Sequence, residues 1–172
     1  AAGPARIAFV GDSMADGMYS GLYRVMKDDA RLSIVRKSKA NTGIVRDDRY
    51  DWNEAARKIA EENRYDVAVL VFGANDMQTI REGGKNYHFR QPGWEERFRE
   101  RVQDILASLK AHGIAAYWVG IPIVRKAKMQ TEYAYINSFF RDASELAGVR
   151  YVDTWSSFAD ENPANNSASV TI

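Results

Sequence analysis

"DVAVLVFG", residues Asp66 to Gly73, turns apolar side chains to both sides: Val67, Val69 and Val71 to one, Ala68, Leu70 and Phe72 to the other. A strand apolar on both faces has to be covered on both, which is the pattern of a central strand in a parallel sheet. It is the third of five such runs. "RIAFV" from Arg6 and "RLSIV" from Arg31 precede it, and "IAAYWVGI" from Ile114 and "VRYVD" from Val149 follow. Between these runs the apolar period becomes helical: Met14, Met18, Leu22 and Val25 share a stripe, as do Trp52, Ala56, Ile59 and Ala60. Trp94, Phe98, Val102, Ile105 and Leu109 form another, and Tyr133, Ile136, Phe140 and Ala143 a fourth, all expected to face a core. Gly113 and Gly148 stand where helices end, and Asp51 where one begins. Strands alternating with helices require parallel pairing through right-handed crossovers. The expected fold is therefore α/β: a three-layer, doubly wound, five-stranded parallel sheet in the flavodoxin-like order 2-1-3-4-5.

Composition narrows the function classes. At 172 residues, 45% hydrophobic and 27% charged, the chain suits one globular domain over residues 1–172. A formal net charge of +1 gives no overall attraction to nucleic acid or anionic lipid, so no nucleic-acid partner is expected. The absence of cysteine excludes disulfides, thiolate metal sites and a cysteine nucleophile. No apolar run reaches the roughly 18 residues of a membrane span. Two isolated histidines and scattered carboxylates have no metal-ligand spacing, and neither a GxGxxG nor a Walker-type phosphate loop is present. No metal and no cofactor are expected.

In a doubly wound sheet the functional groups collect on loops at the carboxyl ends of the strands, near the switch point between strands one and three. The first of these loops is "GDS", Gly11 to Ser13, where a strand meets a helix. Ser13 there can expose its hydroxyl above the sheet while the helix N-terminus offers N–H groups to a developing oxyanion, or it can simply cap the helix. The second loop holds "NTG", Asn41 to Gly43, and the third "GAND", Gly73 to Asp76. Gly43 can bring a backbone N–H close to a ligand, and the Asn75 amide can donate to an oxyanion; both also suit ordinary loop structure.

Together, "GDSM", "NTG" and "GAND" resemble, in order and in loop position, three sequence blocks of the SGNH (GDSL-type) hydrolases. The resemblance runs from about Arg6 to Asp153, and "GDSMADGMY", "FGANDMQ" and "GIPIVR" look like an often exported bacterial subgroup. It implies Ser13 as nucleophile, with its own N–H, the Gly43 N–H and the Asn75 side chain as oxyanion hole. The implied reaction is hydrolysis or transfer of an ester acyl group through an acyl-serine, in a periplasmic or secreted protein, with a cytoplasmic one still open.

The fourth block of that family, an Asp-x-x-His after strand five, has no counterpart here. After Asp153 the chain reads "TWSSFADENPANNSASVTI", without histidine, and neither Asp153 nor Asp160 has the expected partner. A serine hydroxyl is a weak nucleophile without a base beside it. His112 stands at a helix C-terminus, and His88 lies in the long loop after strand three, where it could contact substrate or serve as a substitute base. The expectation is a C-terminally incomplete enzyme, or a catalytically inactive glycan-binding or assembly module that keeps the pocket.

Packing points the same way. With the helices after strands two, three and four on one face, the other is left to the helix after strand one, and the last helix of the fold is missing. A bare apolar face is costly, at about 25 cal/mol per Å². A further C-terminal segment, a partner chain or an exchanged element is expected to cover it. Finally, the loop rim is basic. Arg36, Lys37, Lys39, Arg46, Arg49, Arg81, Lys85, Arg90, Arg125, Lys126 and Lys128 outnumber the nearby acids. Asp12, Arg46, Arg81, His88 and Arg125 are the expected substrate-side residues, and an O-acylated or acidic glycan ester is the substrate class this rim suggests.

Overall fold

The computed structural model describes residues 3–159. The sheet has five parallel strands in the order β2-β1-β3-β6-β7: β1 Ala5–Gly11, β2 Leu32–Ser38, β3 Val67–Val71, β6 Ala115–Val119 and β7 Arg150–Val152. Renumbered for these five alone, that is the expected 2-1-3-4-5 order, with "DVAVLVFG" in the middle. The helices are α1 Ser13–Met26, α2 Trp52–Glu61, α3 Pro92–Ala111, α4 Ala127–Ala147 and a short α5 Thr154–Phe158. Asp51 caps α2 by accepting the Glu54 N–H at 2.9 Å, and Gly148 ends α4 in the left-handed conformation, φ 68°.

One element was not anticipated. The loop after β3 folds into an antiparallel hairpin, β4 Ile80–Glu82 with β5 Lys85–Tyr87. Gly83 and Gly84 turn it with φ of 57° and 74°, which is what a two-residue type I′ turn demands. Arg97 of α3 stacks on Tyr87, 3.5 Å from the ring centroid, and pairs with Glu82 at 2.7 Å, so the hairpin is clamped to the helix behind it.

The two faces of the sheet are unequal. Ala8, Val10, Ala68, Leu70, Phe72, Ala116 and Trp118 meet α2, α3 and α4 in a large core with Trp52, Trp94, Phe98 and Phe140. The opposite face is served by α1, whose Ala15, Met14 and Met18 pack on Val69, Val71 and Val119. Farther along that face Tyr117 is 37% and Val152 36% exposed, so the expectation of an incompletely covered side holds for the described residues. Helix α5 does not close it, since its Trp155 packs against the larger core. The α1 stripe is corrected at its C-terminal end: Leu22 is 36% and Val25 82% exposed, so the far end of the helix is not packed into a core among the described residues.

Candidate active site

The turn from β1 into α1 is built around Gly11 and Asp12. Gly11 has φ 149°, and a Cβ there would stand 1.8 Å from the Val71 carbonyl oxygen, so the chain passes through with no room for a side chain. Asp12, not Ser13, is the helix cap: its Oδ1 accepts the Met14 N–H at 2.8 Å. Ser13 is thereby released from capping and becomes the first helical residue, half-buried. Its N–H belongs to the first turn, where no intrahelical acceptor exists. Among the described residues nothing hydrogen-bonds the Ser13 hydroxyl.

Three loops are then bonded to one another. The Lys39 N–H donates to the Gly11 carbonyl at 2.8 Å, joining the second loop to the first. Asp12 Oδ2 accepts the Gly73 N–H at 3.2 Å, joining the third. Asn75 Nδ2 donates to the Thr42 carbonyl at 2.8 Å, and Asp76 Oδ1 accepts the Val45 N–H at 2.9 Å, so the second and third loops are bound directly. Asn75 uses one N–H on Thr42 and keeps the other. The Gly43 N–H has no acceptor among the described residues. A Cβ on Gly43 would lie 2.6 Å from Asp76 Oδ1, so only glycine fits without displacement.

Two supports were not legible as such. Arg101 of α3, nearly buried, donates to the Ile44 carbonyl at 3.0 Å and pairs with Asp47 at 2.9 Å and Glu82 at 3.3 Å. The Trp52 indole N–H donates to Thr42 Oγ1 at 3.0 Å. The available signal was an arginine three residues after Phe98, on the apolar side of its helix. The carboxyls behind the site are held in an unusual state. Burial pushes Asp12 up to about 6, against the N–H groups of Met14, Gly73 and Ala74, which favour its anion. Asp76 is pushed up to about 7 by burial, with its Val45 bond opposing and the Asp12 charge adding.

Of the remaining candidates, Arg46 joins this cluster, its N–H donating to the Gly43 carbonyl at 3.3 Å. His88 is exposed at the base of the hairpin, its Nδ1 3.2 Å from Thr79 Oγ1, and it makes no hydrogen bond to Ser13. Arg46 forks onto Asp48 at 2.7 Å and reaches Gln78 at 3.4 Å, at the junction of the second and third loops. Arg81 is exposed on β4 and Arg125 exposed after β6. Part of the basic rim is neutralised locally: Arg36 pairs with Asp16, Lys37 with Glu62 and Arg90 with Glu132, while Lys39 lies over the Tyr50 ring. Arg81, Lys85, Lys126 and Lys128 form no ion pair among the described residues. Asp153 caps α5, accepting from Ser156 Oγ at 2.8 Å, and that bond holds its carboxyl below the usual range. Asp160 lies outside the described residues. Among those described, no group of three or more His, Asp or Glu is placed to hold a metal, and no helix is long and apolar enough to cross a membrane.

This strand order, with a Gly-Asp-Ser turn at the switch point, is the α/β architecture of the SGNH (GDSL-type) hydrolases. The chain belongs to the family described as protein of unknown function DUF459, which it matches over residues 6–168. Solved structures share the fold at low identity. An α/β hydrolase from the metagenome of Lake Arreo, Spain, has 14% identity and a TM-score of 0.68, over 91% of this chain and 79% of that one. A catalytic mutant of Axe2, an acetylxylan esterase from Geobacillus stearothermophilus, has 16% identity and a TM-score of 0.61, over 90% and 78%. A GDSL-like lipase from Bacteroides thetaiotaomicron has 11% identity and a TM-score of 0.64, over 95% and 77%. No curated protein matches the chain in sequence.

Proposed function

We propose that this protein is a serine ester hydrolase or acyl transferase, working through an acyl-enzyme on Ser13 as one domain over residues 1–172. The observation that carries the reading is the set of N–H donors left over once the three loops are bonded: Ser13 N–H, Gly43 N–H and the second Asn75 amide hydrogen. Donors fixed in advance and aimed where negative charge develops are what acyl transfer requires. In the forward step the Ser13 oxygen bonds to the ester carbonyl carbon and its proton passes to a base. The tetrahedral oxyanion collapses, the ester C–O bond breaks, and the proton goes to the departing alcohol. Water or an acceptor alcohol then takes the acyl group by the reverse sequence.

The substrate class is an O-acylated or acidic glycan ester. Arg81, Lys85, Lys126 and Lys128 support it as rim cations without ion pairs among the described residues, and Arg46, His88 and Arg125 complete the substrate side, whereas Asp12, fully buried with both oxygens on backbone amides, is corrected to a support behind the site. The named esters of the fold neighbours, acetylxylan among them, agree with a carbohydrate ester. A periplasmic or secreted site of action fits such a substrate. The half-covered sheet face is the docking place for a partner chain or an exchanged element.

A second reading is favoured by one observation: no described residue contacts the Ser13 hydroxyl as a base, and His88 is bonded to Thr79 instead. On that reading the chain is a catalytically inactive glycan-binding or assembly module. A fluorophosphonate probe with intact-mass detection separates the two. One adduct on the native chain, absent from Ser13→Ala, is the expected result for the esterase. No adduct, with glycan binding that survives Ser13→Ala, establishes the module.

A further inference from the structure

Asp76 is fully buried, and the function proposed above gives it no task. One oxygen, Oδ1, accepts the Val45 N–H of the neighbouring loop at 2.9 Å, and the Ile44 amide beside it also favours the carboxylate. The other, Oδ2, is buried with no hydrogen-bond partner among the described residues. Leaving a buried carboxyl oxygen bare is costly, and an apolar side chain would fill the space without that penalty. What the carboxyl supplies and an apolar group cannot is a grip on the backbone across the gap. The gap matters because of its two sides: a Cβ on Gly43 would meet Asp76 Oδ1 at 2.6 Å and the Asn75 Cβ at 3.4 Å.

We propose that Asp76 is a positioning residue: by holding the Val45 amide from the residue next to Asn75, it sets the spacing between the Gly43 N–H and the Asn75 side-chain amide. The inference rests on the reading of those two donors as an oxyanion hole. Arg101 works on the same loop from the opposite side, through the Ile44 carbonyl at 3.0 Å, so the strand of backbone after Gly43 is held between an acid and a base. The charged and titratable groups around Asp76 are Asp12 from the β1–α1 turn and Arg101 from α3, with Tyr133 of α4 facing Asp12 in turn. Burial brings the Asp76 carboxyl up to about 7, and the ionised form is the stronger acceptor. The grip on the loop therefore tightens as pH rises through neutrality.

The test is amide NMR of the whole chain from pH 5 to 9, on wild type, Asp76→Asn and Asp76→Ala. Asp76→Asn keeps one acceptor oxygen and fixes the neutral form; Asp76→Ala removes the grip. In wild type the Val45, Gly43 and Asn75 side-chain signals are expected to move together with a midpoint near neutrality that disappears in Asp76→Asn, leaving only the movement near pH 6 that Asp12 causes. In Asp76→Ala, hydrogen exchange at Val45 is expected to rise roughly ten- to hundred-fold, as for loss of a charge-assisted bond, with Asp76→Asn restoring most of the protection. A flat wild-type profile, or a midpoint near neutrality that persists in Asp76→Asn, overturns the proposal. So do unmoved Gly43 and Asn75 signals in Asp76→Ala. If Asp76→Ala fails to fold, the wild-type and Asp76→Asn profiles decide alone. Fluorophosphonate labelling of the same samples reads the esterase function separately: an unlabelled wild type with the expected NMR profile removes the esterase and keeps the strut.

Discussion

Asp12 and Ser13 stand side by side at a helix start, and each is a residue type that caps helices. The chain gives the cap to Asp12, which leaves the half-buried Ser13 hydroxyl out of capping, and from sequence alone the two assignments were interchangeable. Ser13, Gly43 and Asn75 could be proposed together because a motif places each beside a strand end. Asp76 and Arg101 could not be read as supports, because their roles depend on which backbone atoms of a different loop come within reach. The buried acids make a stability prediction. Their folded carboxyls titrate near 6 and 7, above the roughly 3.9 of an unfolded aspartate, so between those values the folded state binds more protons than the unfolded one. Stability from this pair is full below about pH 4 and is lost as pH rises through 6 and 7. Asp29 and Asp66, held near 2 chiefly by Arg31 and Arg6, act with the opposite sign only in more acid solution. Urea midpoints are expected to fall from pH 5 to pH 8 in wild type, and less so in Asp76→Asn. Gly43→Ala, which forces a Cβ to 2.6 Å from Asp76 Oδ1, should cost about 1–3 kcal/mol by the same measurement.

Among the elements, α1 departs most from its sequence pattern. Its stripe of Met14, Met18, Leu22 and Val25 is as regular as those of α2, α3 and α4, yet only its first half meets the sheet. Periodicity reports which side of a helix is apolar and is silent on whether anything lies opposite. Gly17 and Gly21 weaken the helix further: a Cβ at either position would touch nothing, and helical glycine costs roughly 0.5–1 kcal/mol relative to alanine. Gly17→Ala and Gly21→Ala should each raise the urea-unfolding free energy by about that amount. The β4–β5 hairpin was the opposite case. The Gly83–Gly84 pair that turns it was visible, but its flanking strands of three residues are too short to show alternation. Its attachment to α3 through Tyr87 and Glu82 makes it a fixed wall of the site region.

At the level of the whole molecule the strand order followed from one strand being apolar on both faces, and the unequal covering of those faces followed from counting helices. The identity of what covers the sparse face did not, since apolar area carries no address. Tyr117 and Val152, exposed on the sheet, are expected to drive concentration-dependent association; Tyr117→Glu should reduce it in size-exclusion chromatography while changing stability by no more than about 0.5 kcal/mol. The asymmetry also orders the ways the molecule comes apart. Three helices are locked into one aromatic core, whereas α1 has a single fully buried residue, Ala15. In native-state hydrogen exchange α1 should therefore open before α2, α3 and α4, as a sub-global event with the sheet intact. Because Ser13 is its first residue, the proposed nucleophile should lose its place on mild heating while most of the circular dichroism remains, so that fluorophosphonate labelling, where it occurs, falls before melting.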